Sequence, residues 1–190
     1  MEYEDDFEAI CGECLINPPL FIRAKSALIY DEFSRKIISN FKYYDNTLAR
    51  RFLSNIMSLS GKELIENSDI ITVVPLNYQK IVKRRYNQSA LIAKIIAEKF
   101  NKNLLLDLLV KNNNKRPQTG LAKKLRAQNI KNNFKLNKKY QAKINKKTIL
   151  LIDDVLTTGA TVNECSRVLL NGKVAKVNVL TIARAVKGKR

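Results

Sequence analysis

The chain of 190 residues contains no histidine. This absence excludes the Ser-His-Asp and Cys-His arrangements in which an imidazole activates a nucleophile, and it excludes metal sites that depend on imidazole ligands. Any general base must therefore be an Asp, Glu, Lys or Tyr side chain, or a group of the substrate itself.

Two common nucleotide-binding motifs and any long apolar run are also missing. Neither G-x-x-x-x-G-K-[ST] nor G-x-G-x-x-G occurs, which removes the two most frequent phosphate-loop patterns. No apolar run approaches the roughly 18 residues that cross a bilayer. The start of the chain, MEYEDDFEAI, is acidic, whereas a secretion signal is basic and then apolar. We therefore expect a cytoplasmic protein with no membrane insertion.

Cysteine is scarce, with three residues in the chain. An odd number cannot form a closed set of disulfides, and the spacing of Cys11 and Cys14 in C-G-E-C suits a metal or a redox pair. A tetrahedral zinc site needs two further ligands, so this pair is predicted to be an incomplete zinc site. Cys165 falls within the apolar face of a predicted helix and is expected in the core.

The chain has few acidic residues in its second part. Residues 1–69 hold 8 Lys/Arg against 12 Asp/Glu, whereas residues 70–190 hold 27 against 5, and the formal net charge is +18. Residues 111–147 carry 13 Lys/Arg and no carboxylate. A field of this sign attracts polyanions such as nucleotides, pyrophosphate or nucleic acid. The alternative is that the lysine excess reflects AT-rich coding alone.

Hydrophobic periodicity divides the chain into three parts. Residues 1–25 have little periodicity, residues 26–69 read as a strand and two helices, and residues 70–190 alternate between strands and helices. Strands are predicted at 26–30, 70–74, 104–110, 148–152 and 174–183, and helices at 31–44, 46–60, 87–100, near 120–129 and at 161–170. The helix at 46–60 places Leu48, Phe52, Ile56 and Leu59 on one face. Apolar strands joined by helices predict an α/β fold with a parallel sheet flanked by helices.

The segment ILLIDDVLTTGATV at 149–162 holds two adjacent acids after an apolar strand. Two like charges together are costly to bury unless something binds them. Ligands of open α/β sheets bind beyond the carboxyl ends of the strands, where Asp153 and Asp154 are predicted to lie. The turn that follows suits a phosphate monoester through its backbone N–H groups, its hydroxyls and a helix N-terminus. Its residues are Thr157, Thr158, Gly159, Ala160 and Thr161. Because carboxylates repel phosphate but accept from sugar hydroxyls, the segment predicts a ribose 5-phosphate site.

A structural alternative exists for the same segment. Thr161 and Glu164 have the T-x-x-E spacing of a capping box, in which each side chain satisfies a backbone N–H group at the start of the helix. Gly159 would then be an ordinary turn residue, and one of the two acids would be solvated. Both interpretations of Thr161 are compatible with each other.

The segment LLIDDVLTTGATV resembles the ribose-phosphate loop of type I phosphoribosyltransferases, in which two acids follow an apolar run and precede a Thr- and Gly-rich turn. This resemblance implies that Asp153 and Asp154 contact the 2- and 3-hydroxyls of phosphoribosyl pyrophosphate. It implies that the turn at 157–161 binds the 5-phosphate of that ligand.

Three further segments make the chain similar to the ComF family of competence-associated phosphoribosyltransferase-like proteins. They are VPL at 74–76 with RRYNQS at 84–89, QTGLAKKLRAQNIKNNF at 118–134, and CGECLINPP at 11–19. The resemblance implies a phosphoribosyltransferase-like core at 70–190, an N-terminal hood at 26–69 and a zinc-ribbon remnant at 1–25. That family carries a second C-x-x-C upstream, and this chain begins after its position. Either the metal site is lost, or the chain is a truncated product.

Further ligand contacts are predicted around the same crevice. The candidate substrate-binding residues after the strand at 70–74 are Pro75, Leu76, Arg84, Arg85, Asn87 and Gln88. The two arginines suit a pyrophosphate because of their forked donors, although a solvated helix start explains them equally well. Asn87 is expected to cap the next helix, and Gln88 to point inward or at the ligand. Arg126 and Asn129 lie where type I enzymes carry a mobile lid, and a disordered basic loop is the alternative.

These resemblances imply a protein that binds phosphoribosyl pyrophosphate or a related ribose 5-phosphate with Mg²⁺, linked to DNA uptake. Phosphoribosyl transfer suits a chain without histidine, since positioning and electrostatics supply most of the acceleration. Whether the chain is an enzyme stays open. The alternative is a non-catalytic competence factor that binds single-stranded DNA through residues 111–147 and Tyr86, with a competence helicase as partner. A third possibility is a decaying gene product without function.

Overall fold

The computed structural model describes residues 12–43, 47–76, 87–112 and 132–186. The strands within these ranges are β1 (Arg23–Ile29), β2 (Ile70–Val73), β3 (Asn103–Leu104), β4 (Leu109–Lys111), β5 (Phe134–Leu136), β6 (Thr148–Leu156) and β7 (Lys176–Arg184). The helices are α1 (Gly12–Ile16), α2 (Glu32–Tyr43), α3 (Thr47–Ser60), α4 (Lys62–Glu66), α5 (Gln88–Lys99), α6 (Gln141–Ile144) and α7 (Ala160–Asn171), with a 3₁₀ turn at Lys138–Tyr140.

Five strands form one parallel sheet in the order β1-β7-β6-β2-β3. The chain moves from β2 to β3 toward one edge, and later from β6 to β7 toward the other edge. The order of the strands therefore reverses between β2 and β6. In open parallel sheets this point leaves a crevice outside the carboxyl ends of the two strands.

Both faces of the sheet are buried, as parallel sheets require. Along β6, Leu150 and Ile152 enter one core with residues of α3, α4 and α5. Ile149 and Leu151 enter the other core with residues of α7 and of the small antiparallel sheet that β4 forms with β5. Alternate side chains of the apolar run of β6 are thus buried in two different cores, one on each face of the sheet. This arrangement confirms the predicted parallel sheet flanked by helices.

Helix starts follow local hydrogen-bonding chemistry. Before α2, the Ser34 N–H donates to Asp31 Oδ1 at 2.8 Å and the Asp31 N–H donates to Ser34 Oγ at 2.9 Å. Before α5, the Asn87 side chain accepts from the Ser89 N–H at 3.0 Å. Short polar side chains therefore satisfy the first N–H groups of both helices, as N-caps do. The predicted capping role of Asn87 is confirmed.

The prediction of one strand at 104–110 is wrong. β3 ends at Leu104, the chain turns, and β4 begins at Leu109 in the second sheet. Leu108 and Leu109 are both buried although they are consecutive, so the apolar run does not alternate as a strand does. Asp107 stabilises the turn by accepting from Tyr140 Oη at 2.6 Å and from Lys139 Nζ at 2.5 Å.

The apolar face that periodicity assigns to α3 is largely exposed. Leu48 and Leu59 are each 77% exposed, whereas Leu53 and Met57 on the opposite face are fully buried. Residues 26–69 contribute the second half of β1 to the main sheet and α3 and α4 to one of its cores. The division of the chain into three parts stays a prediction. In the described part of the chain, no helix has the combined length and apolarity that a membrane span requires.

Candidate functional site

β6 extends beyond its neighbour β2 at the carboxyl end of the sheet. The last hydrogen bond between the two runs from the Val74 N–H to the Ile152 carbonyl oxygen, at 3.0 Å. β6 then continues beside β7 as far as Leu156, which lies opposite Arg184. In the described part of the chain, residues 153–156 of β6 therefore have no hydrogen bond to β2, and we call this stretch, at the reversal of strand order, the open edge.

The two acids occupy this open edge. Both are half-buried. The Asp154 N–H donates to Asp153 Oδ1 at 2.8 Å, and the Val155 N–H donates to Asp154 Oδ1 at 2.7 Å. The carboxylates thus satisfy backbone donors where β2 has ended. The sequence predicts the acids just beyond a strand ending at 152, but the structure places them inside a longer strand, because β7 continues to pair with it.

Asp153 and the hydroxyl-rich turn share one hollow. Its open volume is about 180 Å³, and it is lined by Asp153, Val155, Leu156, Thr157, Gly159, Ala160, Thr161 and Val162. Four of the five predicted turn residues line it, together with one of the two acids. Asp154 and Thr158 are not among the lining residues. Val155, Leu156 and Val162 were not predicted here, since nothing in their apolar character distinguishes them from core residues.

The turn leads directly into α7. Gly159 precedes the helix with φ of +73°, in the left-handed region that glycine adopts without steric cost, and no side chain caps the helix. A weak contact joins the Ala160 N–H to Thr158 Oγ1 at 3.4 Å. The helix N-terminus therefore faces the hollow without a side-chain cap. Backbone donors in this position, aided by the helix dipole, are suited to an anion.

The alternative in which Thr161 and Glu164 form a capping box is wrong, since Gly159 and not Thr161 occupies the N-cap position of α7. The Glu164 carboxylate accepts from the Asn132 N–H at 2.6 Å, and from Arg167 Nε and Nη2 at 2.8 and 2.7 Å. Glu164 therefore links the backbone at Asn132 to α7. The T-x-x-E spacing could not reveal this, since Asn132 is 32 residues away in sequence.

The predicted site residues after β2 are not among those that line the hollow. Pro75 and Leu76 are half-buried, and Gln88 is buried at 2% exposure. Asn87 Nδ2 donates to the Val74 carbonyl oxygen at 3.3 Å, which ties the start of α5 to the end of β2. Gln88 thus lies inward, one of the two orientations predicted for it.

Several predicted site residues lie outside the described residues: Arg84, Arg85, Tyr86, Arg126, Asn129 and Cys11. Cys14 lies in α1 and is half-buried. No group of three or more His, Cys, Asp or Glu side chains suited to a metal ion occurs in the ranges that the structure describes. The roles assigned to all these residues stay predictions.

Cys165 lies in the core beneath the site, as predicted, and is fully buried. Burial raises the pKa of its thiol well above the ordinary value, and the negative charges of Asp153 and Glu164 raise it further. The thiol therefore stays protonated at neutral pH. In this state Cys165 acts as a small apolar side chain that supports α7 behind the hollow.

The chain is similar to known proteins over most of its length. Residues 29–189 match the model of the family described as PRTase-CE. The chain is also 29% identical over 180 residues to Competence protein F of Haemophilus influenzae, across 92% of this chain and 78% of the relative. It is 28% identical over 185 residues to Competence protein ComFC of Bacillus subtilis, across 93% and 73% respectively.

This chain belongs to the ComF family. Its fold is that of the type I phosphoribosyltransferases, with the parallel sheet and flanking helices described above. Among solved structures, a glutamine phosphoribosylpyrophosphate amidotransferase from B. subtilis aligns over 75% of this chain and 30% of that protein. The TM-score is 0.49 and the sequence identity 18%.

Proposed function

We propose that this ComF-family protein binds phosphoribosyl pyrophosphate, or a related ribose 5-phosphate, in the hollow at the carboxyl end of β6. The observation that supports this proposal is the hollow itself, in which a carboxylate and an uncapped, hydroxyl-rich helix start meet. Sugar hydroxyls donate to carboxylates, and phosphate oxygens accept from helix N–H groups. One ligand that carries both groups explains the combination of an acid and an anion-binding turn.

The lining of the hollow suits the sugar-phosphate part of the ligand, because it combines the Asp153 carboxylate with Thr157, Gly159, Ala160 and Thr161 of the turn. In the proposal, the backbone of Gly159, Ala160 and Thr161 holds the 5-phosphate and Asp153 accepts from a ribose hydroxyl. The pyrophosphate extends out of the hollow toward the loop after β2, for which the sequence predicts Arg84 and Arg85.

A magnesium ion fits the donors available here, because hard cations prefer carboxylate and phosphate oxygens. Asp153 and Asp154 would be its protein neighbours, and the ion would neutralise charge on a departing pyrophosphate. If transfer occurs, an acceptor forms a bond to the anomeric carbon while the bond to pyrophosphate breaks, and pyrophosphate leaves with the electron pair. The side chains would then hold the ribose in position and stabilise the cation-like transition state.

Calorimetric titration with phosphoribosyl pyrophosphate and Mg²⁺ tests this proposal. We expect the wild type to bind and the double variant Asp153→Asn/Asp154→Asn to bind at least about a hundredfold more weakly, since hydrogen bonds to charged groups contribute roughly 1.5–3 kcal/mol each. The matched control Glu32→Gln/Glu98→Gln removes two exposed carboxylates elsewhere and should bind as the wild type does. Equal affinity of all three proteins, or no binding by the wild type, would refute the proposal.

A second candidate function is binding of single-stranded DNA. It is favoured by relatives called Competence protein F and, in Escherichia coli, DNA utilization protein YhgH, which is 26% identical over 181 residues. It is also favoured by the net charge of +18. A competence helicase is the proposed protein partner of this activity. Affinity for single-stranded DNA should fall steeply with salt, as phosphate contacts require, and undetectable or salt-insensitive binding would exclude this function.

A further inference from the structure

Lysines collect at the amino end of the main sheet, opposite the hollow. Lys146 and Lys147 precede β6, Lys173 precedes β7, and Lys176 is the first residue of β7. Backbone hydrogen bonds join the two approaches, from the Lys146 N–H to the Lys173 carbonyl oxygen at 2.8 Å and from the Ala175 N–H to the Lys147 carbonyl oxygen at 2.9 Å. Residues about 30 positions apart in sequence are thus side by side.

A third segment reaches the same place. In α6, Gln141 Nε2 donates to the Gly172 carbonyl oxygen at 2.7 Å, and Ile144 is buried in the core beneath. Lys143 lies between these two anchors and is exposed. We call the four exposed residues Lys143, Lys146, Lys173 and Lys176 the amino-end patch.

The charges of the amino-end patch are not neutralised within the described part of the chain. None of the four lysines takes part in an ion pair between described residues. The nearby Asp69 is already engaged, since it accepts from the Thr148 N–H at 2.8 Å and from Lys147 Nζ at 3.2 Å. The patch therefore presents a concentrated positive charge to the solvent.

The backbone at two of these lysines is unusual. Among the described residues, the non-glycine positions with positive φ are Asn101, Asn132, Lys146 and Lys173. Asparagine tolerates this conformation, whereas lysine adopts it at a cost in free energy. Lys173 follows the end of α7, where a cation is favoured by the helix dipole. Lys146 does not follow a long helix, so the dipole does not account for a lysine at that position. Strained backbone clusters at functional sites, and the positive φ of Lys146 therefore agrees with a binding role for this surface.

We propose that the amino-end patch binds the phosphodiester backbone of nucleic acid, independently of base sequence. The patch offers several point charges and, among the described residues, includes no exposed aromatic side chain, so it suits phosphates and not stacked bases. It should therefore accept single strands and duplexes alike. This inference rests on the second candidate function and gives it a location, and it is independent of the ribose-phosphate proposal.

The patch and the hollow lie at opposite ends of β6, so a phosphate held at the patch does not fill the hollow. β6 has nine residues, and a strand rises about 3.3 Å per residue, which separates its ends by roughly 25 Å. Nucleic acid at the amino end and a ribose 5-phosphate at the carboxyl end are then bound simultaneously. Saturating phosphoribosyl pyrophosphate should leave the affinity for nucleic acid unchanged.

Fluorescence anisotropy with a labelled oligo-dT of about 30 nucleotides, and with a duplex of about the same length, tests the proposal on the full chain. The patch variant combines Lys143→Gln, Lys146→Asn, Lys173→Asn and Lys176→Gln. Asparagine at the two positive-φ positions keeps the fold unstrained. The control variant has the same net charge and combines Lys36→Gln, Lys62→Gln, Lys94→Gln and Lys99→Gln, which are all exposed and lie in α2, α4 and α5, outside the segments that carry the patch.

We expect the patch variant to bind both probes about tenfold more weakly or worse, with a salt slope lower by about 3, because each phosphate contact contributes roughly 0.7–0.9 to the slope. The control variant should bind nearly as the wild type does. Equal weakening of both variants would overturn the proposal and leave only net charge as the cause. Failure of the wild type to bind either probe would overturn the nucleic-acid function itself, whereas phosphoribosyl pyrophosphate binding is measured separately and would stand.

Discussion

The two ends of β6 differ in the charge they display and in how they are closed. At the amino end, the approaches to β2, β6 and β7 are joined by hydrogen bonds, with Asp69 accepting from Thr148 and Lys146 donating to Lys173. At the carboxyl end, β2 stops at Val73 while β6 continues to Leu156. One end of the strand is therefore a closed, lysine-rich surface, and the other is an open edge that carries two acids.

This contrast shows how a parallel sheet separates stability from binding. Because all strands of the main sheet are parallel, each connection between them leads back to the amino end of the next strand. There, backbone hydrogen bonds join the segments that lead into β6 and β7. The carboxyl end is left to the loops that follow the strands. Acids are tolerated there because the edge is half-exposed and their oxygens satisfy backbone donors. The same acids in the middle of β6 would carry the full cost of burial.

The largest expected effect separates the two acids at the open end. Asp153 lines the hollow and Asp154 does not. Asp153→Asn should therefore weaken phosphoribosyl pyrophosphate binding by roughly ten- to a hundredfold, the range for one hydrogen bond to a charged group. Asp154→Asn should weaken it by less than about tenfold. Calorimetry on the two single variants measures this order. A larger loss of affinity in Asp154→Asn would mean that Asp154, and not Asp153, contacts the ligand.

A smaller effect is expected at the turn that follows. A Cβ added at Gly159 would meet only Leu156 Cδ1 at 3.9 Å, so space is available, but φ is +73°. Gly159→Ala should lower the free energy of unfolding by about 1–2 kcal/mol, since left-handed backbone disfavours residues with a Cβ. It should weaken ligand binding as well. Gly159→Asn serves as the control, because asparagine tolerates this conformation. Urea unfolding measures both variants, and equal losses would mean that backbone conformation is not the cause.

The smallest effect belongs to the closed end. The Thr148 N–H, and then Lys147, lower the pKa of Asp69 below its ordinary value of 3.8. A lowered pKa means that the folded state favours the charged carboxylate. The contribution of Asp69 to the free energy of unfolding is therefore complete above pH 3.8. It is lost as the pH falls through the lower pKa that Asp69 has in the folded state. Asp69→Asn should reduce stability at neutral pH by no more than about 1 kcal/mol, because the carboxylate is partly exposed.

Urea unfolding of the wild type and Asp69→Asn at neutral and strongly acidic pH checks this expectation. The difference in the free energy of unfolding should vanish at acidic pH. Ligand affinity should be unchanged, since Asp69 lies at the end of the sheet opposite the hollow. A difference that grows as the pH falls would contradict the assigned direction of the pKa shift.

Sequence reasoning was most successful where local chemistry decides structure. The apolar run before Asp153 and the small residues before α7 predict a buried strand and a turn into a helix, and both are found. It failed where two partners are distant in sequence. Glu164 has the spacing of a capping residue but binds Asn132, and the run at 104–110 splits because Asp107 meets Tyr140.

Composition and pattern alone determined that this chain is an α/β protein without imidazole chemistry, with an acidic pair and a hydroxyl-rich turn in one segment. Tertiary structure alone decided that β2 ends before β6, that Asp153 and not Asp154 enters the hollow, and that lysines from three segments meet at the opposite end. Strand and helix patterns depend on neighbours along the chain. The length of a partner strand and the side of a sheet that a residue faces depend on contacts between distant segments, which only folding brings together.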